Sequence, residues 1–178
     1  MKKSNGFTLI ELMVTLAIVA VLMGIGTPSY RYITNSSRIS SEMNSLVGEL
    51  QFARAEAIKQ GLPVTVCAST NGTSCSSTNT WQGGWIVFLD INGNAAVDTG
   101  DAILRKQASF STLDSFVADN SIGAIVFNRE GFISGLSVDP VTITLKPLSA
   151  TDSSWTRCLA VGRIGRLAVQ KSGTGNCV

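Results

Sequence analysis

The sequence contains no histidine. Imidazole acid–base chemistry, Ser-His and Cys-His nucleophile pairs and imidazole-bound metals are therefore excluded together, and few routes to an enzyme remain. Charge is also scarce: 15% of the residues are charged and 44% are apolar, a composition suited to a buried core and not to a disordered chain. The four cysteines, Cys67, Cys75, Cys158 and Cys177, include no Cys-x-x-Cys, so zinc-ribbon and thioredoxin-like readings fail. No internal repeat is found. With the apolar N-terminal segment set aside, the 178-residue chain leaves material for one ordinary domain.

What the chain does have is concentrated near its start. After Met-Lys-Lys-Ser-Asn-Gly, the run from Phe7 to Thr27 is 21 residues long and carries one charge, Glu11. As a helix rising about 1.5 Å per residue it would extend about 31 Å, the thickness of a bilayer's hydrocarbon core. Lys2 and Lys3 precede the run and the next cation is Arg31. That bias leaves the N-terminus cytoplasmic and sends the remainder across the inner membrane. A secretory signal would offer a shorter apolar core and an A-x-A-like cleavage site, and neither is present. A carboxylate inside such a span costs about 3 kcal/mol unless it finds a partner, which marks Glu11 as functional. The obvious partner is the α-amino group of Phe7 on a neighbouring subunit, exposed by cleavage after Gly6.

Export would place the downstream thiols in an oxidising compartment, where two disulfides form. Three connectivities are possible. Cys67–Cys75 with Cys158–Cys177, each closing a local loop, is preferred, and four buried free thiols in a cytosolic protein is the alternative. Beyond Pro28, Ile39, Met43, Leu46, Leu50, Ala53 and Ala57 recur at spacings of four and three, one stripe of an amphipathic helix to be packed on the downstream domain. Arg38, Glu42, Glu49, Arg54, Glu56 and Lys59 read as its solvated face. Gly61 and Pro63 end it near Gln60. Strands are expected at 64–68, 85–89, 122–127, 132–136, 141–145, 158–161 and 166–170, with a turn at Asn128–Gly131.

The segment Gly6-Phe7-Thr8-Leu9-Ile10-Glu11 resembles the prepilin leader of type IV pilins and type II secretion pseudopilins. The resemblance implies that a prepilin peptidase cuts between Gly6 and Phe7, that the Phe7 amine is N-methylated, and that Glu11 and Pro28 occupy the family's glutamate and helix-kinking proline positions. Further on, Phe52-Ala-Arg-Ala-Glu-Ala-Ile-Lys59, Val64-Thr-Val-Cys67, Trp81-x-x-Gly-Trp85-Ile-Val-Phe-x-Asp90 and Ile103-Leu-Arg105 are similar to the core of the GspH/FimT branch. The match is weakest from Gln107 to Asn120. It implies an α+β, type IV pilin-like fold: leader 1–6, membrane and filament-core helix 7–27, amphipathic helix 28–60, and an antiparallel β-domain 61–178 with two disulfides. Its implied partners are major and minor pilins or pseudopilins, the peptidase and the inner-membrane assembly platform.

Two further candidates arise. Asp90, Asn92, Asn94, Asp98 and Asp101 stand at positions one, three, five, nine and twelve of a loop, the ligand spacing of an EF-hand. Ala95 stands where the sharp turn wants glycine and Asp101 where a bidentate Glu belongs, so a polar connection between strands is preferred to calcium, and no cofactor is expected. From Val141 to Val178, Lys146, Arg157, Arg163, Arg166 and Lys171 face one acid, Asp152. DNA-binding members of the family carry Gly-Arg-x-Arg here. This chain has Gly162-Arg163-Ile164-Gly165 followed by Arg166, so the second arginine of the motif is missing in either register. A turn or bulge at Gly165 would bring Arg163 and Arg166 to one side, with Lys146 and Lys171, and with Trp155 and Arg129 adding a stacking face and a cation, completing a site for double-stranded DNA. The expectation is a non-catalytic filament subunit near the tip, with DNA capture as the rival.

Overall fold

The computed structural model describes residues 6–110, 114–147, 153–175 and 177, apart from the side chains of 25–29 and 31. Residues 1–5 of the expected leader, and the Pro28 side chain with its expected kink, lie outside the described residues. The chain divides into two compact units, Met1–Arg38 and Ile39–Val178, and helix α1 (Leu9–Gln60) runs through the boundary.

In the first unit α1 starts on a threonine N-cap. Thr8 precedes the first helical residue and its Oγ1 accepts the Glu11 N–H at 3.3 Å. Glu11 is the acid of the first turn, where the unpaired N–H groups of a helix favour negative charge. Farther along, the Thr15 and Thr34 hydroxyls fold back onto the Leu12 and Tyr30 carbonyls. The apolar side chains Leu9, Ile10, Leu16, Ile18 and Leu22 are all exposed, and Phe7 is 82% exposed. Among the described residues no helix is long and apolar enough to cross a membrane. Leu9 to Gly24 supplies 16 fully described helical residues, about 24 Å, against the roughly 20 residues that a span needs.

The second unit buries the expected stripe completely: Ile39, Met43, Leu46, Leu50, Ala53 and Ala57 are all core residues. Gly61 ends the helix in the left-handed conformation (φ 68°), its N–H bonded to the Ala57 carbonyl at 3.0 Å. The strands are β1 (Val64–Ala68), β2 (Gly84–Leu89), β3 (Ala102–Ala108), β4 (Ser115–Ala118), β5 (Ala124–Phe127), β6 (Ile133–Ser134), β7 (Val141–Lys146), β8 (Arg157–Val161) and β9 (Leu167–Lys171). They form two antiparallel sheets, ordered β3-β2-β1-β5-β6 and β4-β7-β8-β9. Trp85 of the first sheet meets Phe116 of the second edge-on, with centroids 6.2 Å apart, and Phe110 at 5.6 Å. Cys67–Cys75 and Cys158–Cys177 are both closed, so all four thiols are paired as expected.

The structure departs from the expectations in three places. Strands β3 and β4 form where none was expected, because pairing with β2 and β7 holds sequences whose own alternation is broken by Arg105-Lys106 or is only four residues long. The expected strand 132–136 shrinks to Ile133–Ser134, since Gly135 turns the chain at φ 73°. The polar face of α1 is not simply solvated. Glu42 is buried, Glu49 pairs with Arg105 at 3.6 Å, Arg105 stacks over the Phe52 ring, and Arg54 donates to the Gly165 carbonyl at 3.0 Å.

Candidate functional site

Three groups of residues were singled out, and they fare differently. At the N-terminus, Gly6 and Phe7 are exposed and Glu11 presents its carboxylate one turn into α1. Its place in the first turn of α1 gives this acid a local function as well, worth about 0.3–1 kcal/mol at an exposed helix start. Pairing with a Phe7 amine would have to come from another copy or another subunit.

The Asp90 loop ties itself together. Asp90 is fully buried; Oδ2 accepts from the Thr65 hydroxyl at 2.7 Å and the Ala95 N–H at 2.9 Å, and Oδ1 accepts from the Asn94 N–H at 3.1 Å. Asp101 accepts from the N–H groups of Ile91 and Asp98. Asp98 accepts from the Asn92 and Asn94 amides at 3.0 and 2.6 Å, Asn92 first in effect, and these bonds hold its carboxyl below the usual value. Ala95 takes the sharp turn itself, at φ 61°, held by its bond to Asp90. The loop joins β2 to β3, and among the described residues no three Cys, Asp or Glu side chains gather as a metal site.

The C-terminal cations do not gather. Gly165 N–H bonds the Gly162 carbonyl at 2.8 Å with Gly165 at φ 76°, and Gly162 N–H bonds the Arg166 carbonyl at 2.9 Å. This is a three-residue hairpin with the bulge expected at Gly165. Its two arginines nevertheless diverge. Arg163 turns its guanidinium onto the Leu136 carbonyl at 3.1 Å and its N–H onto Asp139 at 3.0 Å, whereas Arg166 lies with Ala168 and Gln170 on the outer face of the second sheet. Lys146 and Lys171 stand at the opposite end of the strands, level with Ser115 and Arg157, and Lys171 is on the other face from Arg166. The separation from Arg166 is about five residues, some 17 Å at about 3.3 Å each. Trp155 is half-buried and Arg129 pairs with Glu130 at 3.4 Å.

The cradle that fixes this hairpin was not foreseen. Arg54 passes between two glycine turns, and a Cβ at Gly165 would stand 2.8 Å from the Gly131 carbonyl oxygen and 2.9 Å from Arg54 Cζ. Asp139, which anchors Arg163, was equally overlooked. The available signal was the pair of turn glycines at 131 and 165, which need their missing side chains.

Comparison with known proteins places these features. Residues 42–165, more than half of the chain, match the family model described as type II transport protein GspH, and residues 1–27 match the prokaryotic N-terminal methylation motif. The pilin-like protein PilA1 of Thermus thermophilus is 26% identical over 173 residues, 93% of this chain and 98% of that one. The type II secretion system protein H of Pseudomonas aeruginosa is 40% identical over 58 residues, 33% of this chain and 34% of that protein. The crystal structure of the P. aeruginosa type IV minor pilin FimU superposes with a TM-score of 0.60 at 19% identity, covering 78% of this chain and 92% of FimU, and so shares the fold. The methylation motif, the single helix entering two antiparallel sheets and the length of the domain match agree, and the chain belongs to the GspH family.

Proposed function

We propose that the protein is a minor pilin or pseudopilin subunit, placed through the first part of α1 in a type IV pilus or type II secretion pseudopilus. One observation carries this reading: α1 opens with an apolar, exposed stretch that holds a single acid, on a chain with the N-terminal methylation motif. Such a surface is covered either by lipid or by the same helix of other subunits. The remaining steps follow from it. A prepilin peptidase would cleave after Gly6, the run Phe7–Thr27 would hold the subunit in the inner membrane, and the assembly platform would extract it into the filament with other pilins or pseudopilins, near the tip. The relatives are named as a minor pilin, a pilin-like protein and a secretion-system protein, and those names support assembly.

In this reading Glu11 answers the methylated Phe7 amine of a neighbour. Glu11→Ala in the native host should give protein that is cleaved and inserted but missing from sheared filaments, as read by immunoblot. Normal incorporation of the variant would defeat it. The DNA-capture alternative draws no support from the geometry, because its four cations are spread over both ends and both faces of the second sheet.

A further inference from the structure

The second sheet closes one edge and leaves the other open. Along β4 the backbone of Asn79–Trp81 completes the ladder: Ala118 N–H donates to the Asn79 carbonyl at 2.9 Å and Trp81 N–H to the Phe116 carbonyl at 2.6 Å. Beyond β9 no described strand lies. Hydrogen-bond parity shows which groups this leaves. Gly162 N–H bonds the Arg166 carbonyl and Ser172 N–H bonds the Thr156 carbonyl, so the even-numbered residues of β9 face β8. The N–H and C=O of Leu167 and Val169 therefore point outward, while the Lys171 N–H is taken by Thr174 Oγ1 at 3.1 Å.

Beside this open edge lies a cavity of about 330 Å³ on the outer face, floored by Ala160 and Ala168 and walled by Asp139, Pro140, Ile164 and Arg166. Thr142, level with Ala160 on the neighbouring strand, is only 5% exposed, and its hydroxyl has no hydrogen-bond partner among the described residues. Ile164 and Val169 are 65% and 49% exposed. The Arg166 side chain bonds no described residue, whereas Asp139 Oδ1 is occupied by the Arg163 N–H. Strand groups and a cation without partners among the described residues, together with an apolar floor, thus occur within one strand's length.

We propose that β9 is a docking edge for an extended segment of a partner polypeptide, which adds as a fifth strand. Its backbone bonds Leu167 and Val169; an acidic side chain meets Arg166, and a bulky apolar side chain two positions along enters the cavity over Ala160 and Ala168. The spacing of two follows from strand alternation, and the combination of main-chain bonds with a side-chain pocket is how such additions acquire both affinity and selectivity. A second copy of this chain is the wrong occupant. In the antiparallel registers that set outward-facing residues of two copies together, Arg166 falls level with Ala168, Gln170 or Ser172 of the other copy, and Leu167–Lys171 carries no acid to meet it. The open edge of the first sheet is a poorer dock, because β3 carries Arg105-Lys106 and a register shift opposite Val87/Phe88, both of which blunt an edge.

The test uses the full chain in detergent micelles with two capped hexapeptides, Glu-Val-Phe-Val-Thr-Thr and its Lys-Val-Phe-Val-Thr-Thr counterpart. At about 1 mM even a weak complex is populated, and the Glu peptide should slow hydrogen exchange of the Leu167 and Val169 amides about tenfold, the Lys peptide much less. Arg166→Glu should invert that preference. Val169→Pro removes only the outward N–H, which an edge strand tolerates, and should abolish protection at Leu167 while leaving the unfolding temperature in place. If Val169→Pro does not fold, the charge inversion decides alone. Exchange unchanged by both peptides, protection that survives Val169→Pro, or protection that rises with protein concentration without peptide would each overturn the proposal.

Discussion

Helix α1 does two different jobs along its length. Before Arg38 its described apolar side chains are exposed, and from Ile39 onward its apolar stripe is buried against two sheets. Sequence explains the contrast. Ile39, Met43, Leu46, Leu50, Ala53 and Ala57 cover one face, which the chain's own strands can bury. Residues 9–24 carry apolar side chains all round, with Glu11 the one charge, and a helix of that kind is covered only inside a large core or a membrane. The second unit buries its own stripe, while the first leaves its described apolar side chains exposed.

Paired truncations test this contrast most strongly. Leu50→Ala should cost about 2–5 kcal/mol of folding stability, followed by tryptophan fluorescence in denaturant, because it opens a cavity in a packed core. Leu16→Ala, on an exposed face, should stay within about 0.5 kcal/mol in the same assay and show its effect only in filament incorporation. Equal losses would erase the distinction between the two stretches. The disulfides come next, since they stitch only the second unit. Loop closure across 19 residues assigns about 3 kcal/mol to Cys158–Cys177, and across 8 residues about 2.5 kcal/mol to Cys67–Cys75. Removing each pair by double Cys→Ala substitution and comparing denaturation midpoints checks the order.

The same contrast explains what could be read from the sequence. The helix stripe, its end at Gly61, the first strand and both disulfides were legible because each rests on local chemistry: periodicity, a left-handed glycine and short cysteine loops. Strands β3 and β4 were not, because Ala102–Ala108 carries an Arg-Lys pair mid-strand and Ser115–Ala118 is too short to show alternation; partners distant in sequence make them strands. The hairpin bulge at Gly165 was legible, but the direction of Arg163 was not. It depends on the Leu136 carbonyl and Asp139, which lie 27 and 24 residues away in the chain. That Lys171 lies on the opposite face from Arg166 follows from their odd spacing once both are placed along β9, but the expected strand, 166–170, stopped short of Lys171.

A smaller effect probes how tightly the second unit is closed at its surface. Gly165→Ala forces a Cβ onto the Gly131 carbonyl and the Arg54 guanidinium at a positive φ. It should cost about 1–3 kcal/mol, the usual range for one strained residue, without touching the first unit. Gly6, which also lacks a side chain but has nothing within 4 Å, provides the control: Gly6→Ala should leave unfolding unchanged and report only on leader cleavage.

The weakest expected effect lies in the Asp90–Asp101 loop. Asp98 is fully exposed, yet the Asn92 amide, and after it the Asn94 amide, hold its carboxyl below the ordinary 3.8. The folded value is the depressed one, so the stabilisation is present above the unfolded value and is lost as pH falls through the lower folded value. A carbon-13 titration of the Asp98 carboxyl should therefore show a midpoint below 3.8 in the wild type. Asn92→Ala should raise that midpoint toward the ordinary value and flatten the acid limb of the stability curve. Should the midpoint stay put, the Asn92 amide does not hold Asp98, and the loop is kept by the bonds to Asp90 and Asp101 instead.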